Sequence, residues 1–291
     1  MAITAALVKE LRERTGAGMM DCKKALTETG GDIEAAVDQM RKSGALKADK
    51  KAGRVAAEGA VAIAEGDGSA AIVEVNCETD FVARGDAFAD FTSAIARTVL
   101  EAKPATIDEL AACPMAGKTV DEARRDLIAS LGENIQVRRF GVQQGGTLLG
   151  KYIHTNNKIG VVVALEGGDA ELARDVAMHI AWNNPPYLSP DDVPADQVSR
   201  EKEIFVEQAR GEGKPDAIID KIVSGKLRKF LDSISLLGQP FVKDDKSSVG
   251  KLLGAAEASV VGYVRLEVGE GIEKKQEDFA AEVMAQVRGD D

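Results

Sequence analysis

The sequence predicts an α+β fold, and three features of its apolar pattern lead to that prediction. Apolar residues recur at helical spacing near the N-terminus, the pattern then changes to strand-like segments, and a hairpin followed by a helix occurs twice. We predict a three-helix head with a linker at 1–55, a core subdomain at 56–145 and a related one at 146–291. Each subdomain is expected to hold a small antiparallel sheet. An inserted antiparallel helical hairpin and a C-terminal helix complete the predicted fold.

The predicted head consists of three short helices separated by turns. Thr4 is a suitable N-cap for the first helix, which ends at the Gly-rich stretch 15–18. The second helix is predicted at 19–29, and Asp32 caps the third. The polar, Lys-rich stretch 43–54 is predicted to be a linker or an exposed helical connection.

The first core subdomain begins with a β-hairpin. Its strands are predicted at 60–64 and 71–75, with turn-forming residues at 65–68 between them. A helix at about 86–100 carries one apolar face, and a more distant strand at 135–142 joins the sheet.

The second core subdomain repeats this order. Its hairpin strands are predicted at 148–154 and 159–165, its helix at about 169–182, and its distant strand at 260–268. The repetition indicates an internal duplication that is visible in the pattern and not in residue identity.

A helical excursion interrupts the second subdomain at about 196–237. A Gly-rich break at 211–215 divides it into two antiparallel helices. A final helix is predicted at about 274–287. The residues expected to pack between the two helices of the hairpin are Ile204, Phe205, Ala209, Ile218, Ile222 and Phe230.

The charge of the chain argues against general nucleic-acid binding. The formal net charge is -11, whereas a phosphate backbone requires a basic surface. Residues 1–55 differ from the rest, because they carry 11 Lys and Arg against 8 Asp and Glu. A small basic head is therefore joined to an acidic body.

The cysteines and histidines form no pattern typical of a metal site or a disulfide framework. Cys22, Cys77 and Cys113 are far apart, and only His154 and His179 could add imidazole ligands. No apolar run approaches the roughly 20 residues that a membrane helix needs. We expect a cytoplasmic protein without a bound metal, a cofactor or a membrane partner.

Phe81 is the residue that most invites a functional interpretation. Polar turn formers close the strand before it, yet an aromatic ring follows between Asp80 and Arg84. Aromatic residues are scarce, at eight Phe, three Tyr and one Trp. The ring either packs inward as an anchor of the loop or is exposed as a contact for another molecule.

No segment matches an enzyme active site. Residues 117–119 (GKT) imitate the end of a phosphate-binding loop, but Ala112 stands where that loop requires Gly, and no strand is predicted before it. His179 lies on an apolar helix face and is expected to be structural, whereas the role of His154 stays open. We therefore predict no catalytic residues and favour a protein interface.

Several segments resemble the bacterial translation elongation factor Ts family, and they occur in the family's order over almost the entire chain. They are VKELRERTGAGMMDCKKAL at 8–26, EVNCETDFV at 74–82, LGENI at 131–135 with Arg138 and Arg139, MHIA at 178–181 and LLGQPFV at 236–242. The resemblance implies that the head is a ubiquitin-associated-like domain.

The resemblance also implies a function. The family binds elongation factor Tu in its GDP form and accelerates GDP release, so that GTP can replace GDP. By similarity, Thr79, Asp80, Phe81 and Val82 disturb the Mg²⁺ site of that partner. Weaker candidates for partner contacts are Met19, Met20, Lys23, Leu131, Gly132 and His154.

Some features depart from the family pattern or stay open. Gly238 stands where Glu is common, Ser233 and Ser235 fall where the family typically has Glu-x-Cys, and Trp182 is unusual. The resemblance leaves open a homodimer or a two-plus-two complex with the partner. A scaffold or holdase and a nucleotide hydrolase acting at Lys118 and Thr119 are the alternative functions.

Overall fold

The computed structural model describes residues 3–273, apart from the side chains of residues 41, 43–50 and 216. Within this range it combines helices with small antiparallel sheets, so the predicted α+β class is confirmed. The predicted C-terminal helix at 274–287 lies outside the described residues.

Three helices form the head: α1 (Ala5–Thr15), α2 (Met19–Glu28) and α3 (Ile33–Lys51). The first two match the predicted bounds closely. The third continues through most of the Lys-rich stretch, so that stretch is a helical connection and not an irregular linker.

Local capping and a small core define the head. The Thr4 hydroxyl accepts a hydrogen bond from the Leu7 amide at 3.3 Å, and Gly16 ends α1 in the left-handed conformation with φ 67°. The buried residues of this core are Val8, Leu11, Ala17, Cys22, Ala25, Leu26 and Ala36.

The first hairpin consists of β1 (Glu58–Gly66) and β2 (Ser69–Cys77). Asp67 and Gly68 form its two-residue turn, both with positive φ, at 49° and 68°. Such a turn matches the twist of the strands that it connects. Both strands are longer than predicted, because their polar end residues still pair.

Several short elements separate β2 from its next partner strand. They are α4 (Asp80–Ala83), α5 (Asp86–Ala102), α6 (Ile107–Ala112), β3 (Pro114–Met115), β4 (Lys118–Thr119) and α7 (Val120–Leu131). Only α5 was predicted. The signal for α7 was present in the sequence, since Thr119 and Glu122 form a capping box at its start.

The first sheet is completed by β5 (Gln136–Gln144), which pairs with β2 to give the antiparallel order β1–β2–β5. The predicted apolar face of α5 covers this sheet. That face consists of Phe88, Phe91, Ile95 and Val99.

The second sheet repeats this arrangement. Its hairpin is β6 (Leu148–Ile153) and β7 (Ile159–Glu166), followed by α8 (Ala170–Asn183). The remaining elements are a 3₁₀ helix (Pro190–Asp192), α9 (Ala195–Gly211), α10 (Asp216–Ile234), β8 (Pro240–Phe241), β9 (Asp244–Ser248), α11 (Val249–Ala255) and β10 (Ser259–Glu267). The sheet order is β6–β7–β10, with the second hairpin strand again central. The two sheets therefore share one topology.

The predicted packing within the α9–α10 hairpin was partly wrong. Phe205 and Phe230 meet edge to face with ring centroids 6.3 Å apart, and Ala209 is buried. On α10, however, Ile219 and Val223 face α9, whereas Ile218 is exposed. One residue rotates a helix by about 100°, so an error of one position selects the wrong face. The other wrong choices were Ile222, which is outside this cluster, and Ile204, which is exposed.

The two sheets pack back to back. Every residue of β2 is buried, because this strand has the α5 core on one face and the second sheet on the other. An added Cβ on Gly160 would lie 2.6 Å from Val61 Cγ1, so the sheets approach closely there. The buried residues between the sheets are Val61, Ala70, Ile72, Val162 and Leu266.

A buried carboxylate joins the sheets. Glu74 accepts hydrogen bonds from Arg138 Nη1 at 3.0 Å, from Arg139 Nε at 2.5 Å and from the Gly269 amide at 2.9 Å. Arg139 also donates through Nη2 to the Glu267 carbonyl at 2.8 Å. The Glu74 side chain therefore links β2 and β5 to the end of β10.

His179 has a structural role, as expected. Its ring is buried on α8 and stacks on Phe241. The Val242 amide donates to Nδ1 at 3.2 Å, which leaves the proton on Nε2, and Nε2 donates to Gln239 Oε1 at 3.0 Å. Burial lowers the pKa of His179, which keeps the ring neutral.

We expect Glu74→Gln to lower the free energy of unfolding by about 2–3 kcal/mol, because two arginines lose their buried counter-charge. Glu270→Gln is the matched control, since Glu270 also pairs with Arg139 but its side chain is 42% exposed, whereas that of Glu74 is fully buried. Its cost should stay below about 1 kcal/mol. Urea unfolding measures both, and equal losses would contradict the role given to Glu74.

The His179 pKa predicts a pH dependence of stability. The folded pKa is lowered, so the unfolded chain binds the proton more readily once the pH falls below the unfolded value of about 6.5. Stability is thus fully present above that pH and is lost toward the folded pKa. Urea unfolding between pH 7 and pH 5 should show a shallower decline for His179→Gln, and identical pH profiles would refute this assignment.

Candidate partner-binding site

The segment after β2 forms one helical turn instead of the predicted loop. Thr79 caps α4, with its hydroxyl accepting from the Val82 amide at 3.4 Å. Phe81 lies on this turn with 85% of its surface exposed. The inward-packing alternative for Phe81 is therefore wrong, and the ring is presented to solvent.

The other members of the turn are held by the protein. Val82 is half-buried and packs against the core under α5, so its side chain points away from the exposed surface. Asp80 forms an ion pair with Arg84 at 2.9 Å. The turn is thus anchored in the core by Val82 and Ala83, and its Phe81 ring is exposed.

A carboxylate from another part of the chain binds the start of this turn. Glu133 Oε2 accepts hydrogen bonds from the amides of Glu78 and Thr79, both at 3.0 Å. Its Oε1 accepts from the Thr79 hydroxyl at 2.5 Å. In return, the Asn134 amide donates to Glu78 Oε1 at 2.6 Å. The two segments therefore hold one another through reciprocal carboxylate bonds.

The end of the head connection joins the same junction. Arg54 Nη1 lies 3.5 Å from Glu78 Oε2, and Asn134 Nδ2 donates to the Arg54 carbonyl at 2.7 Å. We call the cluster of Arg54, Glu78, Thr79, Glu133 and Asn134 the junction. It joins three chain segments, of which the one with Glu78 and Thr79 lies immediately before Phe81.

Leu131 and Gly132 lie beside the junction, at the end of α7. Gly132 ends this helix in the left-handed conformation with φ 80°, and its carbonyl accepts a bond from Lys51 Nζ. The head contacts the same end of α7, because Ser130 Oγ donates to the Gly16 carbonyl at 2.8 Å. These two predicted residues are thus close to Thr79 through Glu133.

The head presents an apolar surface of its own. Met19 and Met20 are 60% and 75% exposed, and Lys23 lies one turn further along α2. All three line a groove of about 400 Å³. Exposed methionines are adaptable contact residues, so the groove is suited to a protein surface.

His154 lies at the start of the second hairpin turn. Its Nδ1 is 3.2 Å from the Tyr152 hydroxyl. In the same turn Lys158 Nζ forms an ion pair with Glu58 at 2.5 Å, and Glu58 pairs across the sheet with Cys77. His154 is therefore at the end of the first sheet from which α4 begins.

The GKT segment is not a phosphate-binding loop. The Thr119 hydroxyl caps α7, and Lys118 Nζ pairs with Asp126 at 2.5 Å. The expectation that no strand precedes this segment was wrong, since β3 does so. That strand has two residues and only forms a tight hairpin with β4.

The departures from the family pattern lie in the second half. Trp182 is 76% exposed, and the Ser233 hydroxyl donates to the Phe230 carbonyl at 2.7 Å. Ser235 is fully buried. An added Cβ on Gly238 would lie 2.4 Å from the Asp232 Cα, so no larger residue fits this backbone without a shift.

Residues 3–273 contain no group of three or more His, Cys, Asp or Glu side chains arranged to hold a metal ion. In this range, no helix combines the length and the apolar character needed to cross a membrane.

Comparison with known proteins gives a consistent result. The family model for "Elongation factor TS" matches residues 78–270. The chain is 58% identical over 294 residues to elongation factor Ts of Thioalkalivibrio sulfidiphilus, covering 99% of this chain and 100% of the relative. It is 56% identical to the Alkalilimnicola ehrlichii protein of that name, again covering 99% and 100%. The Francisella tularensis subsp. novicida relative is 58% identical, with 99% of both chains covered. The protein whose exposed Phe81 turn is described above therefore belongs to the elongation factor Ts family.

Proposed function

We propose that this protein binds elongation factor Tu in its GDP form and promotes the release of GDP, so that GTP can bind. The observation that carries the proposal is the exposure of Phe81 on a turn whose backbone is fixed at the junction. An exposed aromatic ring on a rigid support is suited to insertion into another protein.

The proposed target of the turn is the Mg²⁺ site of the partner. Mg²⁺ requires near-octahedral oxygen ligands at about 2.0–2.1 Å, so small shifts of the elements that support it weaken its binding. Phe81 would enter beside that site, while Asp80, which pairs with Arg84, would place a carboxylate next to it. No covalent step is needed.

The magnitude of the effect requires further contacts. Burying one Phe ring contributes roughly 1.5–3 kcal/mol, and each 1.4 kcal/mol changes an affinity about tenfold. One ring therefore cannot account for both tight binding and fast release. We propose that the groove with Met19, Met20 and Lys23, the Leu131–Gly132 end of α7 and His154 supply the additional binding surface.

The proposed coupling is reciprocal. If the protein weakens the binding of GDP to its partner by some factor, GDP must weaken the binding of the protein by the same factor. A scaffold or holdase would bind the partner without regard to GDP. Sensitivity of binding to GDP therefore separates the two functions.

We expect Phe81→Ala to slow the release of labelled GDP from elongation factor Tu by about tenfold or more at saturation, while some binding is retained. Trp182→Ala is the matched control, because it also removes a largely exposed ring. Release at the wild-type rate with Phe81→Ala, or no acceleration by the wild type, would overturn the proposal.

Met20→Ala should act differently from Phe81→Ala. The substitution removes apolar contacts in the groove that contribute roughly 1 kcal/mol to the binding free energy. The concentration of this protein that gives half-maximal GDP release should therefore rise about fivefold, with little change in the saturating rate. Lys24→Ala serves as the control, because Lys24 is an exposed residue of α2 that does not line the groove. A lowered saturating rate with unchanged half-saturation would contradict a binding role for Met20.

A further inference from the structure

We infer that Glu133 is a positioning residue, which holds the exposed Phe81 turn in the one orientation that enters the partner. This inference rests on the proposed exchange function and assigns that function a residue outside the turn itself. Glu133 touches neither the ring nor any reacting group in the described structure. It acts through the backbone of Glu78 and Thr79.

The turn depends on support from outside. A helix of four residues is far below the length at which isolated helices are stable in water, so α4 does not set its own direction. Val82 and Ala83 fix the second half of the turn against the core. A second fixed point is needed to prevent rotation about the first, and Glu133 supplies it by accepting three hydrogen bonds from Glu78 and Thr79.

The backbone on both sides of Glu133 is fixed by neighbouring residues. Glu133 follows Gly132, whose left-handed conformation turns the chain back from α7. The next residue, Asn134, is fully buried, and its side-chain amide donates to the Arg54 carbonyl at 2.7 Å. The Asn134 backbone amide is bonded to Glu78 at 2.6 Å. The backbone that carries Glu133 is thus held by contacts other than those of its own carboxylate.

The charge of Glu133 suits this task. A carboxylate can accept several hydrogen bonds at once, and bonds to a charged acceptor are stronger than bonds between neutral groups. Both oxygens are used, and every bond falls within three residues of Phe81. Loss of Glu133 should therefore loosen the turn and leave the hydrophobic core intact, because the side chain is not part of that core.

A looser turn has a defined kinetic consequence. If only a fraction of the molecules present Phe81 correctly, the productive population falls to that fraction of the total. The other proposed contacts, in the head groove and near His154, are unaffected. The saturating rate of GDP release should therefore fall more than the affinity for the partner.

The chain offers a matched control at the start of α7. Glu122 Oε2 accepts from the Thr119 amide at 2.8 Å and from the Thr119 hydroxyl at 3.2 Å. This arrangement of a threonine and a carboxylate is similar to that of Thr79 and Glu133. Glu122 lies near the start of α7, and Glu133 follows the end of that helix. The nine positions from Glu122 to Leu131 rise ~1.5 Å each, so the two ends are roughly 14 Å apart. Glu122→Ala tests what losing such a capping carboxylate costs without loosening the Phe81 turn.

The experiment measures release of labelled GDP from elongation factor Tu as a function of exchange-factor concentration. We expect Glu133→Ala to lower the saturating rate about tenfold, which corresponds to ~1.4 kcal/mol at 25 °C, with the half-saturating concentration changed less than about threefold. Glu133→Gln keeps one acceptor oxygen and should fall between Glu133→Ala and wild type. Glu122→Ala should release GDP like wild type.

Amide hydrogen exchange on the free protein provides a readout that does not depend on activity. In Glu133→Ala, the amides of residues 78–84 should exchange faster, while those of β1 and β2 keep their protection. Unchanged exchange at 78–84, or a uniform rise over the whole domain, would overturn the positioning role.

The outcomes separate this inference from the function on which it rests. If Phe81→Ala releases GDP like wild type, the proposed function fails. If Phe81→Ala is slow but Glu133→Ala releases GDP like wild type, the function stands and the positioning role of Glu133 is refuted. Equal losses for Glu133→Ala and Glu122→Ala would also refute it, because a general destabilisation would then explain both.

Discussion

The burial of β2 on both faces is the constraint on which the rest of the structure depends. One face of this strand lies under α5 and the other lies against the second sheet, so its position is fixed from two sides. Glu74, in the middle of the strand, is also bound by arginines and by a backbone amide from beyond β10. A strand held in this way ends at a defined place, and the Phe81 turn begins there.

The residues that follow β2 are also held in defined positions. Cys77 is the last buried residue of β2, and burial raises its pKa to about 12, which keeps the thiol neutral and unreactive at physiological pH. Beyond it, polar contacts at the junction hold Glu78 and Thr79, and Val82 returns to the apolar core. A rigid strand, a bonded junction and an exposed ring thus follow one another over a few residues, an arrangement that supports the proposed insertion of Phe81 into a partner.

Much of the fold could be predicted from the sequence, because local periodicity determines it. The helices α5 and α8 each bury one regular face, and the hairpin strands are short apolar runs bounded by turn residues, so both patterns are visible without tertiary information. The division at residues 55 and 145 is consistent with these elements but stays a prediction. The exact face of α10 was missed, since neighbouring apolar residues such as Ile218 and Ile219 fit a helical pattern equally well.

Only part of the candidate site could be predicted from the sequence. Phe81 could be singled out as a ring among polar residues, yet its exposure depends on Val82 and not Phe81 packing inward. The helical turn of α4 was missed because its support, Glu133, is 54 residues away in the chain. The role of Glu74 between the two sheets could also have been predicted. The sequence has one carboxylate inside an apolar strand, and Arg138 and Arg139 are adjacent in a strand predicted to join the same sheet.

The measurement that tests the central claim most directly is the affinity of this protein for elongation factor Tu with and without bound GDP, compared with the affinity of the partner for GDP with and without this protein. Our account predicts that both ratios are equal and well above one, and that both shrink toward one in Phe81→Ala. An affinity for the partner that is the same with and without GDP would contradict it, and would identify the protein as a binding scaffold instead.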